Sequence, residues 1–173
     1  LLKAIAGVNR PHAGKVSLLC TDPFELQGKK RREKIGFIPQ EPSDLLIHPS
    51  VAKECAASDR DNGLEDGSTF AFLIRLTPTV NPDAHPRDLS EGQRLSLVLA
   101  LILCSAPEVL IMDEPTRGLD YQAKSLLVDT LVSYARNLGK CVLIATHDVE
   151  LVAEVADRVV FLADGDVVAD GST

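Results

Sequence analysis

Apolar residues along the chain fall into short continuous runs and into longer stretches with apolar positions three or four residues apart. The short runs predict β-strands over residues 16–20, 34–38, 109–112, 141–145, 158–162 and 167–169. The helical spacing predicts helices over residues 70–76, 95–104, 121–138 and 148–156, and residues 1–6 are typical of the last turns of another helix. Because strands alternate with helices, we expect an α/β fold with a largely parallel sheet covered on both faces.

Two parts of the chain depart from this alternation. Residues 42–86 are rich in Asp, Pro and Ser, and apart from the helix predicted there they are expected to be irregular. Asp164-Gly165 lies between the last two predicted strands and predicts an antiparallel hairpin. The run 95–104 is apolar nearly all round, which indicates a helix buried on most sides, but it has about half the length that a bilayer span requires.

Charge and composition narrow the class of protein. The formal net charge is -7, aromatic residues make up 4% of the chain, and there is no Trp. An acidic surface with few aromatics argues against a nucleic-acid-binding protein, because phosphates attract cations and bases stack on aromatic rings. The local basic run 29–32 is typical of a solvated loop or turn. We therefore expect no nucleic-acid partner.

Two carboxylates follow the most apolar predicted strand. Asp113 and Glu114 come directly after residues 109–112, at the edge of a parallel sheet where ligands bind. Asp113 is placed to hold a magnesium ion through water, and Glu114 is placed to orient or deprotonate an attacking water. The alternative, an acidic strand end that only faces solvent, stays open on this motif alone.

A second motif precedes the apolar helix. Ser90 and Gln93 match a capping box, so an ordinary helix start explains both residues. The same geometry presents free backbone N–H groups to an anion. Capping does not require Gly92 inside the first turn, which keeps the anion-binding interpretation open.

Two further strand ends carry polar residues. His147 follows the strand predicted over 141–145, at the same sheet edge as the carboxylates, where it can hydrogen-bond a terminal phosphate. Gln40 follows the strand predicted over 34–38, and its amide is placed to contact a metal ion or a water molecule. Taken singly, each of these two signals is weak.

The order and spacing of these motifs resemble the ATP-binding-cassette (ABC) ATPase family from Leu1 to Thr173. The motifs that carry the resemblance are Gln40, Leu89-Ser90-Glu91-Gly92-Gln93, Asp113-Glu114-Pro115, Gly118-Leu119-Asp120 and His147. In this order they look like the family's Q-loop, signature, Walker B with catalytic glutamate, D-loop and H-loop.

The resemblance implies a P-loop NTPase (RecA-like) fold with an inserted helical signature subdomain. Residues 1–41 and 106–173 would form the RecA-like core, and approximately residues 42–105 the helical subdomain. ATP and Mg²⁺ would be the cofactors. In this resemblance Asp113 coordinates the metal, Glu114 is the catalytic base, and His147 contacts the γ-phosphate. Gln40 would contact the metal and couple the nucleotide to membrane subunits.

The remaining motifs imply a partner domain. In the family, two ATPase domains hold two ATP molecules between them, so Ser90, Gly92 and Gln93 would serve the ATP of the opposite domain, and Asp120 would line the interface. The partner would be a second copy, a different chain or a tandem cassette. Glu91 departs from the commoner Leu-Ser-Gly-Gly-Gln signature, at a position that the family tolerates.

One family motif is missing from the sequence. No G-x-x-x-x-G-K-[ST] phosphate loop occurs, since Gly14-Lys15 has Asn9 where the first Gly belongs and Val16 where the hydroxyl belongs. Residues 1–3 match the helix that directly follows that loop, so we expect a truncated chain that also lacks the first core strand. Without the loop's N–H groups and Lys, these residues alone are expected neither to bind ATP tightly nor to hydrolyse it.

Among ABC proteins, a transporter motor on the cytoplasmic face of the membrane is the first hypothesis. Only some fifty residues separate Gln40 from the signature, too few for the coiled coils of chromosome-structuring relatives. Residues 40–44 and 113–120 resemble the energy-coupling-factor importers of vitamins and metal ions, whose transmembrane subunits would be partners. The alternatives are a soluble ATPase acting on ribosomes or nucleic acid, and a regulatory cassette that completes a partner's ATP site.

Overall fold

A three-stranded parallel sheet lies at the centre of the structure, a computed structural model that describes residues 1–173. Its strands, in spatial order, are β1 (Ile35–Ile38), β2 (Val109–Asp113) and β3 (Cys141–Ala145). Ile38 pairs with Met112, and Asp113 pairs with Ala145, so the carboxyl ends of all three strands meet at one edge. The central strand is buried over its four apolar residues, as the sequence predicts.

Seven α-helices surround or extend this sheet. They are α1 (Leu2–Ile5), α2 (Gly28–Lys34), α3 (Val51–Asn62), α4 (Ser68–Leu76), α5 (Glu91–Leu103), α6 (Tyr121–Val132) and α7 (Val149–Val155). Short 3-10 turns lie at Pro42–Leu45 and Pro86–Asp88. The helix predicted over 121–138 ends at Val132 and continues as a π-helical turn over Ser133–Asn137. None of the seven helices combines the length and the apolar composition that a bilayer span requires.

The last two strands form a separate hairpin. Strand β4 (Arg158–Ala163) pairs antiparallel with β5 (Asp166–Ser172). Asp164 and Gly165 connect them with φ values of 51° and 89°. Two consecutive left-handed residues make the type I′ turn that the Asp-Gly pair favours. The predicted hairpin is therefore confirmed.

The core divides according to the alternation of side chains along β2. Leu110 and Met112 point to one face, where they pack with α5 and α6. Val109 and Ile111 point to the other face and pack with Leu2 and other residues near α1. A third cluster joins α3, α4 and α5, and its buried residues are Val51, Cys55, Leu73, Val80, Leu89, Leu97 and Ala100. Because α5 contributes to two clusters, its burial on most sides is confirmed.

The expectation that residues 42–86 are irregular, apart from one helix, is wrong, because α3 occupies Val51–Asn62. Its buried face carries Glu54 and Asp59, so the apolar periodicity that identifies a helix is weak. Hydrogen bonds offset this burial. The Asp59 carboxylate accepts from the backbone N–H groups of Gly67 and Thr69 at 2.8 and 2.9 Å.

The strand predicted over residues 16–20 is also wrong. Leu18 and Thr21 hydrogen-bond to each other, and the intervening Leu19 and Cys20 have φ values of 51° and 60°. The chain therefore reverses in a tight turn. An extended segment needs a neighbouring strand for its backbone groups, and here Leu18 and Thr21 pair with each other instead.

The basic run 29–32 is more than the expected solvated turn. The Arg31 guanidinium donates to the carbonyl oxygen of Ala6, at 2.7 Å, at the end of α1. The Arg32 guanidinium donates to the Asn62 side chain, at 2.7 Å, and to the Asp61 carbonyl at the end of α3. Helix carboxyl ends expose unpaired carbonyl groups that attract cations, so two of the four basic residues connect helices.

Candidate active site

Glu114 leaves the sheet where β2 ends. Its backbone N–H donates to the Ala145 carbonyl at 2.8 Å, which extends the pairing of β2 with β3 by one residue. Its φ of 48° lies in the left-handed region, which is uncommon for a residue with a side chain. Strained conformations of this kind cluster at functional sites. The turn that follows is closed by a hydrogen bond from Arg117 N–H to the Glu114 carbonyl at 3.2 Å.

The Glu114 carboxylate is held by two residues that follow β3. Its Oε2 atom lies 2.8 Å from Nδ1 of His147 and accepts from the Thr146 hydroxyl at 3.2 Å. The Glu114 side chain is 22% exposed, whereas that of His147 is 87% exposed. The hydrogen bond to Glu114, followed by its negative charge, raises the pKa of His147 above its ordinary value.

Asp148 stabilises the segment that follows β3 and carries Thr146 and His147. Its Oδ1 atom accepts from the backbone N–H groups of Glu150 and Leu151, both at 3.1 Å, and so caps α7. Lys124 on α6 contacts Asp148 Oδ2 at 2.9 Å and Glu150 Oε2 at 2.8 Å. The Lys124 ammonium and the Leu151 N–H lower the pKa of Asp148 to about 2. Hydrogen bonds to Glu150 and Asp148 raise the pKa of Lys124 to about 12.

A cleft of about 230 Å³ opens between the ends of β1 and β2. Gln40, Asp113 and Glu114 line it, together with Glu91 and Gly118. This volume is below the roughly 300–1,000 Å³ of a typical ligand pocket, but it accommodates a hydrated ion. The Asp113 carboxylate and the Gln40 amide oxygen are hard oxygen donors, and Mg²⁺ takes few protein ligands while it keeps several waters. The donor set therefore fits magnesium.

The predicted capping box is present at the start of α5. The Ser90 hydroxyl accepts from Gln93 N–H at 3.2 Å, and the Gln93 side chain accepts from Ser90 N–H at 3.1 Å. A Cβ atom added at Gly92 would lie 2.8 Å from the Cβ atom of Ala123 on α6. Close packing of α5 against α6 thus explains the glycine for which capping gives no reason.

The structure separates the predicted site residues into two groups. Gln40, Asp113, Glu114 and His147 come together at the sheet edge. Ser90, Gly92 and Gln93 lie at the start of α5 and do not line the cleft. Asp120 is exposed and caps α6 by accepting from Ala123 N–H at 2.8 Å.

Comparison with known protein families shows the family to which the chain belongs. Residues 1–117, more than half of the chain, match the family model described as ABC transporter. The chain is an ABC transporter ATP-binding domain. The recognition that rests on Gln40, the Ser90 motif, Asp113-Glu114 and His147 is confirmed.

One relative of this ABC domain is much longer than the chain. A putative ABC transporter ATP-binding protein of Streptomyces coelicolor is 48% identical over 99% of the chain. The chain spans only 30% of that relative's length. The matched residues are therefore a part of a longer protein in that relative.

Solved structures confirm the fold of the ABC domain. The dimeric ATP-binding cassette MJ0796, in a post-hydrolysis state bound to ADP and Pi, superposes with a TM-score of 0.84 at 24% identity. The alignment covers 99% of this chain and 78% of the cassette. CbiO1 from Clostridium perfringens, part of the ABC transporter complex CbiONQ, gives a TM-score of 0.78 at 28% identity over 98% of this chain and 70% of its own. The predicted α/β cassette fold is confirmed.

Two residues near the site, Thr146 and Lys124, have no role in the sequence interpretation, and a third, Glu91, enters it only as part of the signature. Thr146 donates to Glu114, Lys124 binds Asp148, and Glu91 lines the cleft. Thr146 directly precedes His147 at a strand end, which is a signal that could have identified it. Lys124 gives no such signal, because a charged residue on a predicted helix is normally solvated. The sequence singles out Glu91 as a departure from the signature, but that departure does not predict that Glu91 lines the cleft.

Proposed function

We propose that this ABC domain is the ATP-hydrolysing part of a membrane transporter and that Glu114 activates the attacking water. The observation that carries the proposal is that one oxygen of Glu114 accepts a hydrogen bond from Thr146 and lies 2.8 Å from Nδ1 of His147. The other oxygen, Oε1, makes no hydrogen bond within the chain and can accept a proton from water. A general base needs this combination of a fixed carboxylate and a free acceptor atom.

His147 has a complementary part in this proposal. Because Nδ1 faces Glu114 and the ring is 87% exposed, Nε2 is left to hydrogen-bond a terminal phosphate oxygen. The His147–Glu114 contact then holds the Glu114 carboxylate and the phosphate-binding His147 ring at a constant distance from each other. Orientation of this kind contributes to phosphoryl transfer, in which positioning and charge supply most of the catalysis.

Asp113 and Gln40 are proposed to hold Mg²⁺. Both residues line the cleft beside Glu114 and offer oxygen atoms. Bound Mg²⁺ would neutralise the charge that develops on the phosphate oxygens. The 173 residues contain no glycine-rich phosphate loop, so in the complete protein the phosphate cradle is proposed to come from elsewhere.

A second ATPase domain is proposed to face the start of α5. Ser90, Gly92 and Gln93 lie there and would serve the ATP of that domain, while Asp120 would line the contact. Ser90 and Asp120 are exposed, as this proposal requires. The dimeric state of the cassette MJ0796 supports it.

Within transporters, we propose the energy-coupling-factor importer type, at the cytoplasmic face of the membrane. The likeness to CbiO1, a part of the CbiONQ complex, supports this assignment. The sequence stretches 40–44 and 113–120 point the same way. Transmembrane subunits are the proposed partners, and they would select the transported substrate.

The test of the hydrolytic role is Glu114→Gln in the complete polypeptide. The variant keeps the size of the side chain but removes the base, so we expect steady-state ATP hydrolysis to fall at least about 100-fold while ATP binding persists. Phosphate release measures hydrolysis, and equilibrium binding of ATP measures affinity. Glu154→Gln is the matched control, since Glu154 is exposed on α7 and its side chain forms no hydrogen bond or ion pair. Unchanged turnover in Glu114→Gln would remove Glu114 from its role.

A further inference from the structure

Lys124 makes contacts that the proposed reaction does not explain. It lies in α6, four residues after Asp120, and its side chain is 21% exposed. Its ammonium contacts Asp148 at 2.9 Å and Glu150 at 2.8 Å, both at the start of α7. These contacts join the first turns of α6 and α7. The site residue Asp120 directly precedes α6, and His147 lies two residues before α7.

A continuous series of hydrogen bonds leads from Lys124 to Glu114. The carboxylate of Asp148 binds Lys124, and its backbone N–H donates to the Thr146 hydroxyl oxygen at 3.0 Å. That hydroxyl donates in turn to Glu114 at 3.2 Å. A threonine hydroxyl has a single proton, so the N–H that it accepts directs this proton toward Glu114.

We propose that Lys124 is a positioning residue for Glu114, acting through Asp148 and Thr146. This inference rests on the proposed function of Glu114. Lys124 separates the negative charges of Asp148 and Glu150, which would otherwise repel each other. Without it, segment 146–148 relaxes and the hydroxyl no longer holds the carboxylate.

Lys124 lies one turn after another proposed site residue. Asp120 caps the same first turn of α6 and is proposed to meet the second ATPase domain. Lys124 therefore links the turn that carries Asp120 to the residues that hold Glu114. In this inference Lys124 makes no contact with the reacting atoms.

The test measures ATP hydrolysis by the complete polypeptide carrying Lys124→Met, which removes the charge but keeps most of the stem. We expect kcat to fall about tenfold, the effect of a small misplacement of the base, while the KM for ATP changes less than about twofold. Thr146→Val is expected to lower kcat similarly. The double variant Lys124→Met/Thr146→Val should be no slower than Thr146→Val alone, because both changes interrupt the same series of hydrogen bonds to Glu114. Lys124→Arg is expected to recover most of kcat.

Lys140→Met is the matched control. Lys140 forms an ion pair of 3.0 Å with Glu108 and is 19% exposed, but it lies at the opposite end of β3 from Thr146. Its loss should leave kcat unchanged. Unchanged kcat in Lys124→Met, or fully additive losses in the double variant, overturns the inference. A fall in unfolding temperature well beyond that of Lys140→Met also overturns it, in favour of a purely structural role. Active Glu114→Gln contradicts the proposed function instead.

Discussion

Glu114 and His147 form the closest contact between two proposed site residues, at 2.8 Å. They are 33 positions apart and follow different strands, so the contact depends on the parallel pairing of β2 with β3. The backbone leaves the extended conformation at Glu114, whose φ is 48°, where β2 ends. At the residue scale, the backbone turn and the strand pairing together create the site.

The first residue-scale prediction concerns the titration of His147. Its pKa is raised by the hydrogen bond to Glu114, so while Glu114 is ionised the charged contact is present below the raised pKa and is lost as pH rises through it. In nucleotide-free complete polypeptide, we expect Glu114→Gln to lower the His147 pKa toward its ordinary value. Histidine-selective NMR titration measures this, with His147→Gln to assign the signal. A His147 midpoint that is the same in wild type and Glu114→Gln would show that the contact is absent in solution.

Helix α5 illustrates the element scale, since its first turn serves two neighbours. The capping box of Ser90 and Gln93 pairs the free backbone groups at the start of the helix. In the same turn, Gly92 allows the helix to approach Ala123 on α6. Because α6 also carries Lys124, this approach sets the distance between the α5 start and the residues that support Glu114. The missing side chain at Gly92 thus permits the close approach of α5 to α6.

The element-scale prediction is a coupling between Gly92 and Ala123. Gly92→Ala places a Cβ atom 2.8 Å from that of Ala123, and such overpacking costs about 1–3 kcal/mol, more than the gain in helix propensity. We expect a net loss of roughly 1 kcal/mol in unfolding free energy. Gly92→Ala combined with Ala123→Gly should be more stable than the sum of the two single changes indicates.

Chemical unfolding of the complete polypeptide measures this coupling. Gly171→Ala is the control, because nothing lies within 4 Å of a Cβ atom added there. If the Gly92 and Ala123 changes are additive, the helices do not meet as closely as the structure shows.

The elements also show where sequence reasoning fails. Strand β2 and helix α5 are predictable because long apolar runs leave them no other place than the core. Helix α3 is not, because its buried Asp59 and Glu54 interrupt the apolar pattern and are satisfied by groups from other segments. Residues 16–20 are apolar enough for a strand, but strand formation depends on a neighbour that no local pattern specifies.

At the scale of the whole molecule, the chain is one ABC domain that spans 30% of its S. coelicolor relative. The proposed reaction needs a phosphate cradle and a second ATPase domain in addition to these residues. The proposed transport needs membrane subunits as well. Each of these requirements concerns the complete protein.

The whole-molecule prediction tests the proposed importer type. We expect the complete polypeptide, extracted in mild detergent, to co-purify with a transmembrane partner and a small substrate-binding membrane protein. The likeness to CbiO1 of the CbiONQ complex is the reason for this expectation. Mass spectrometry of the purified complex identifies the subunits. Recovery only with ribosomes would favour the soluble alternative, in which Glu114 still hydrolyses ATP but powers no transport.

The sequence by itself determined the family, the parallel sheet and the placement of Gln40, Asp113, Glu114 and His147 at one edge. It could do so because buried parallel strands are continuous apolar runs, and the residues that follow such runs must meet at the carboxyl edge of the sheet. The order of the motifs then specified the ABC family.

Only the tertiary structure decided how the site is held. Thr146 and His147 bind the same oxygen of Glu114, Lys124 supports Asp148, and Gly92 packs on Ala123. These contacts join residues 24 to 33 positions apart, or different helices, and each depends on atomic distances near 3 Å. A local pattern of apolar and polar residues determines which face of an element is buried, but it does not determine which two side chains meet across that face.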